Sequence, residues 1–223
     1  MASSSPTDSV PGDAVIPLRD PEARARLYEV ARVGAPLLLA KDRLLPVPGP
    51  LGALVPELRR GMVVAVTGVP GGGATTLAFG LVAAASAAGE WAGALCPDHT
   101  LGALAASAAG VDLTRFAVVR DVPLDRWAVV AAALLDAITV VLVEVPRGVR
   151  AADARRLVSR ARERGAVLVT LGEWPAAAAL RIHAEGGEWN GFRMGDGILT
   201  SRNLSVRVEG SGAPLHGLVS LAS

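Results

Sequence analysis

An apolar run, Met62–Thr67, passes directly into Gly68-Val69-Pro70-Gly71-Gly72-Gly73-Ala74-Thr75-Thr76, and an alanine-rich stretch closed by Gly89 follows. A run this short is poor material for a helix and suits a strand buried on both faces. The glycines allow the tight reversal that Cβ-bearing residues resist, and Thr75–Ala88 then reads as a helix. The start of that helix is therefore fixed against the carboxyl end of a buried strand, so this strand must sit inside a covered sheet.

The same alternation continues downstream. Strands are predicted at Trp91–Cys96, Phe116–Val119, Ile138–Val145 and Ala166–Leu171. Helices are predicted between them at Leu101–Ala109, Leu124–Ala137 and Ala151–Arg164. Strands that are apolar throughout and alternate with helices imply an α/β fold, its mostly parallel sheet flanked by helices. Beyond Trp174 the helical pattern stops, and Leu180–Glu185, Gly197–Glu209 and Gly217–Leu221 read as antiparallel strands.

Residues 1–17 are rich in Ser, Pro, Gly and Asp and are expected to be a mobile N-terminus. Residues 18–44 hold a helix and the start of a connector, and residues 45–223 the core domain. The helix, 21–33, has Asp20 as its cap, Pro21 in its first turn, and Gly34 with Pro36 at its end. Five prolines from residue 36 to residue 60 mark a connector and not a helix. The N-terminus has neither a basic start nor an apolar segment, so no secretory signal is expected. The most apolar stretch, Ala128–Val143, is interrupted by Asp136 and Thr139, so a membrane association is not expected either. One cysteine in 223 residues, Cys96, fits a reducing, cytoplasmic setting. A net charge of +1 does not mark nucleic acid as the main partner.

The glycine turn has the context of a phosphate-binding loop: glycine, four residues, glycine, lysine, then Ser or Thr, between strand and helix. Gly68, Gly73 and Thr75 are in register, but Ala74 stands at the lysine position. Gly71 and Gly72 can still turn backbone N–H groups inward, the helix start at Thr75 and Thr76 adds its dipole, and Thr75 retains a hydroxyl for Mg²⁺. Losing the lysine's charge-assisted hydrogen bond costs about 1.5–3 kcal/mol, or one to two powers of ten in binding. Losing a pre-organised charge from the transition state costs roughly a further 10²–10³ in rate. Lys41 is the only lysine in the chain and lies upstream of the sheet. Weak Mg-ATP binding is the most this loop offers, and no cofactor is expected. The alternative is a glycine-rich turn that holds no ligand.

With these residues in view the sequence resembles the RecA/RadA recombinase superfamily, over roughly residues 45–221. WAGALCPDHTL, residues 91–101, is similar to the second strand and turn of that family, where a glutamate activates water; Asp98 matches that position and is one methylene shorter. AAGVDLTRFAVVR resembles the approach to the third strand, and ITVVLVEV resembles a Walker B strand in which Glu144 replaces the Mg²⁺-orienting aspartate. Leu51–Arg60 resembles the approach to the first strand. The segments 145–155 and 171–180 are too short for the family's two DNA-binding loops. The resemblance implies a RecA-like P-loop NTPase fold with a degenerate nucleotide site: Gly68, Gly71, Gly72, Gly73, Ala74, Thr75, Thr76, Asp98 and Glu144.

A shortened RecA-like chain in which arginine has replaced lysine, as a high-GC genome would dictate, resembles the actinobacterial mutasome accessory proteins of the ImuA-prime type. That resemblance implies a non-catalytic scaffold in the SOS response to DNA damage. Such a scaffold supports mutagenic translesion synthesis beside an inactive Y-family polymerase homologue and an error-prone C-family polymerase. The competing reading is a DNA-repair ATPase with an unorthodox site built on Thr75, Asp98 and Glu144.

Helix 151–164 carries Arg155, Arg156, Arg160, Arg162 and Arg164 opposite an apolar stripe of Ala154, Leu157, Val158 and Ala161. These arginines are the candidate face for a partner or, weakly, for DNA backbone; the plainer reading is a solvated helix face. The four tryptophans, 91, 127, 174 and 189, are expected in core or edge packing. His99, His183 and His216 are scattered, so no metal site is expected.

Overall fold

The computed structural model describes residues 44–97, 100–191, 200–210 and 212–222, all within the unit Gly34–Ser223. The helix expected at 21–33 and the residues Asp98 and His99 lie outside the described residues.

The chain enters through β1 (Leu44–Pro46), a 3-10 turn (Pro50–Ala53) and β2 (Glu57–Arg59). β1 and β2 pair antiparallel, Leu44 opposite Arg59. The proline-rich segment is thus no helix, as expected, but it is more than a connector. Leu45, Val47, Leu51, Val55 and Leu58 are all buried and join the main core. Prolines confine such a segment to short strands and turns, and its apolar residues fill the space beneath the first helix.

The alternating pattern then appears as predicted, with small boundary shifts. In order come β3 (Val63–Gly68), α1 (Ala74–Ala87), β4 (Ala92–Cys96), α2 (Ala103–Ala108), β5 (Phe116–Arg120) and α3 (Leu124–Ala137). β6 (Val140–Glu144), α4 (Ala151–Arg164) and β7 (Val167–Leu171) complete the series. The chain closes with β8 (Leu180–Asn190), β9 (Ser201–Glu209) and β10 (Leu215–Ala222). The large sheet has eight strands in the order β10-β9-β8-β3-β7-β6-β4-β5.

β8, β9 and β10 pair antiparallel with one another, as expected for the C-terminal strands. On its other side β8 runs parallel to β3, which the sequence reading does not anticipate, Val64 facing Leu180 and Gly68 facing Ala184. Parallel neighbours usually need a helical crossover, and residues 172–179 contain none. They suffice because the strand start is displaced only slightly: β7 ends opposite Val66, and β8 begins opposite Val64. The segment crosses β3 without regular secondary structure, pinned by Gly172 N–H to Val66 O at 2.9 Å and Ala179 N–H to Val63 O at 2.8 Å.

Two cores result. On one face α1, the β1–β2 segment and α2 pack against Val64, Val66, Leu142, Val169, Ile182, Leu204 and Val206. On the other, α3 and α4 cover Val63, Ala65, Leu95, Val141, Val143 and Leu168 with Trp127, Leu134, Leu135 and Leu157. Each fully buried large apolar side chain contributes about 1.5–3 kcal/mol. Trp127 and Trp174 are buried in this second core, while Trp91 and Trp189 are about half exposed.

Candidate functional site

The carboxyl ends of β3, β6 and β7 meet at a cleft of about 310 Å³. Its walls come from the turn after β3 (Thr67, Gly68, Ala74), the end of β6 (Glu144, Val145, Pro146), the end of β7 (Leu171, Gly172, Glu173) and Pro97. This is the edge where α/β sheets place their sites. Of the residues expected to form a nucleotide site, Gly68, Ala74 and Glu144 line this cleft. Thr75 and Thr76 stand in the first turn of α1, half-buried and away from its walls. Asp98 lies outside the described residues.

The turn itself is held by packing. Gly73 precedes α1 in the left-handed region, φ 97°, with no side chain capping the helix. A Cβ there would lie 2.7 Å from Leu204 Cδ1, because buried Leu204 of β9 rests on this glycine. Arg202, two residues earlier on the same strand, donates through Nη2 to the Gly71 carbonyl and stacks over Trp189 at 5.0 Å. Val69 N–H donates to Ala184 O at 3.3 Å and Gly72 N–H to Val69 O at 2.7 Å. Conformation and contacts with β8 and β9 therefore account for the glycines without any ligand.

The electrostatics follow from the lining. Among the described residues the charged side chains lining the cleft are Glu144 and Glu173, and Glu173 also borders a smaller pocket lined by Arg181 and Arg207. Ala74 presents a methyl group. Glu144 accepts a hydrogen bond from Thr100 Oγ1, and Trp127 Nε1 donates to its backbone carbonyl at 3.0 Å, fixing the end of β6. Burial pushes the Cys96 thiol up from its ordinary pKa, with the hydrogen bond and charge of Glu144 adding to the rise. A thiol held neutral in this way is a poor nucleophile. On the α3–α4 side of the sheet Thr67 Oγ1 shares a hydrogen bond with His183 Nδ1 at 2.9 Å.

The arginine helix divides into engaged and free members. Arg160 grips Asp136 of α3 with two hydrogen bonds, 2.5 and 2.6 Å, and Arg164 joins the same carboxylate at 3.1 Å. Arg156 pairs with Asp153 at 3.3 Å. Arg155 and Arg162 are exposed and make no ion pair among the described residues. Two of the five arginines thus tie α4 to α3, and Arg155 and Arg162 present their charge outward.

Sequence reasoning missed Glu173, Arg202 and Leu204. Glu173 had a readable signal, a carboxylate directly after the end of a parallel strand. Arg202 and Leu204 reach the turn from more than a hundred residues away and carry no local signal. Among the described residues no group of three or more His, Cys, Asp and Glu side chains could hold a metal ion, and no helix is long and apolar enough to cross a membrane.

Residues 53–176, from the 3-10 turn through the crossover segment, match the family described as MT3502 N-terminal domain. The chain belongs to that family. A member-like relative is the Mycobacterium tuberculosis protein named Uncharacterized protein Rv3395c, 37% identical over 140 residues, or 62% of this chain and 67% of the relative. The matched MT3502 region contains the whole cleft and both covering helix layers, and it ends before β8.

Proposed function

We propose that this chain is a non-catalytic, RecA-like accessory scaffold in cytoplasmic DNA-damage-induced mutagenesis, working through contacts with polymerase-family proteins. The observation that carries the non-catalytic half is the cleft. Where a nucleotide's phosphates would lie, the lining offers the Ala74 methyl at the position a phosphate-binding lysine would take, beside the carboxyl-bearing residues Glu144 and Glu173. A polyphosphate brought there finds no charge-assisted donor from position 74, and such a hydrogen bond is worth about 1.5–3 kcal/mol. The glycines that would otherwise argue for a phosphate are accounted for by Leu204 and Arg202. The mutagenesis half rests on the sequence resemblance, with its inactive Y-family and error-prone C-family polymerase partners. DNA contact is weak and falls to Arg155 and Arg162.

The test is a titration of the full chain with Mg-ATP, paired with steady-state turnover in the presence of DNA. The expected result is no saturable binding in the micromolar range and no turnover above background. Turnover abolished by Thr75→Ala overturns the scaffold reading in favour of the ATPase. For the partner, reversal of Arg155 and Arg162 to glutamate should weaken capture of the polymerase homologue while leaving the melting temperature unchanged. Reversal of Arg160 is the wrong probe, because it removes the Asp136 clamp.

A further inference from the structure

The eight-stranded sheet ends in two unlike edges. β5 is five residues long and lies between Arg115 and the Arg120–Asp121 pair. Short length and flanking charge are the usual ways of blunting an edge. β10 has neither. It runs eight residues, Leu215–Ala222, with His216 as its one titratable side chain and no proline or lysine. It pairs with β9 along its whole length, and no described strand lies on its outer side. One face is covered: Val219 is buried, and Gly217 is pressed so closely by Leu54 that no Cβ would fit. On the other face Leu218 stands 71% exposed between His216 and Ser220.

We infer that the outer edge of β10 pairs antiparallel with β10 of a second copy of this chain, about a two-fold axis through Leu218. An axis normal to the sheet joins residues of the same face, so the register must set a residue against one of like parity. With Leu218 on the axis, the two exposed leucines meet as a cross-strand pair. His216 of each copy faces Ser220 of the other, so no like charges are opposed, and Gly217 faces Val219. The strand is self-complementary in this register, and the pairing satisfies the unpaired backbone groups that an exposed edge leaves.

Because the axis passes through residue 218, a single substitution there meets itself. Leu218→Lys and Leu218→Glu should each give a folded monomer, with circular dichroism and melting temperature unchanged, since the side chain is already exposed. Mixing the two variants should restore a dimer. Leu218→Cys should form a covalent dimer on mild oxidation, because directly opposed strand residues fall within disulfide reach, and Cys96 is buried. Leu215→Cys, offset from its own copy along the strand, should not. Wild type should sediment as a dimer. Three results would each overturn the inference: a folded wild-type monomer at every concentration; a dimer untouched by Leu218→Lys; or a dimer broken by Val118→Lys on β5.

Discussion

The sheet joins two regions built on different rules. The central strands β3, β7, β6 and β4 are parallel, apolar in consecutive residues and covered on both faces by helices. From β8 to β10 one face is buried through Ile182, Ala184, Leu204, Val206 and Val208. The other face carries Arg181, His183, Glu185, Ser205, Arg207 and His216, all exposed or half-exposed. The first region needs every side chain to be apolar, because no face is spared. The second needs only every other one. The family match, residues 53–176, falls on the first region and ends before β8.

The sharpest way to break this comparison is to open the doubly covered region. Trp127→Ala removes a buried indole from the α3–α4 core together with its hydrogen bond to the Glu144 carbonyl. A loss of about 3–5 kcal/mol is expected, read by denaturant unfolding. A loss below ~1 kcal/mol would show that the second core is not what holds this half together.

Gly73→Ala probes the junction, where Leu204 of the wing rests on the turn after β3. The substitution meets both a left-handed backbone and the Leu204 methyl groups, so about 1–3 kcal/mol should be lost. Hydrogen exchange in β9 should quicken along with that of α1. Faster exchange in α1 alone would mean that the wing docks independently of the turn.

Asp136→Ala removes the carboxylate that Arg160 and Arg164 share. The pair is partly exposed, with side-chain exposures of 36% for Arg160 and 26% for Asp136. Screening therefore limits the expected loss to about 1 kcal/mol. Arg181→Ala on the open wing face should change stability by less than ~0.5 kcal/mol. Equal losses for Asp136→Ala and Arg181→Ala, measured in the same unfolding series, would erase the distinction between the two faces.

The Cys96 thiol gives the smallest signal. Its raised pKa keeps it protonated as pH climbs through the range where an ordinary cysteine ionises. Alkylation of the native protein at pH 8 should therefore be far slower than after unfolding, and a native rate matching the unfolded one would contradict its burial.

The two regions were also unequally legible. Met62–Thr67, Leu124–Ala137 and Ala151–Arg164 could be read because their periodicity is local and complete within one element. The placement of β8 beside β3 could not, because it depends on how residues 172–179 cross β3, and a crossover without a helix leaves no pattern to announce it. The cleft was half legible. Ala74 followed from the spacing within the glycine turn, and Glu144 from the resemblance of its strand to a Walker B strand. The contribution of Leu204 and Arg202, which turns a ligand-shaped motif into a packed one, exists only once β9 has come back to the turn.

The central position of β3 has a consequence for how the chain is made. Both of its neighbours, β7 and β8, are encoded far downstream, Val63 facing Leu168 and Thr67 facing His183. At roughly 5–20 residues per second, a gap of about a hundred residues leaves a nascent β3 without strand partners for on the order of 5–20 s. In that interval the ribosome-bound chain carries an adhesive apolar ribbon shielded only by α1 and the β1–β2 segment. Synthesis rate and chaperone supply should accordingly govern the yield of this protein more than its final stability does.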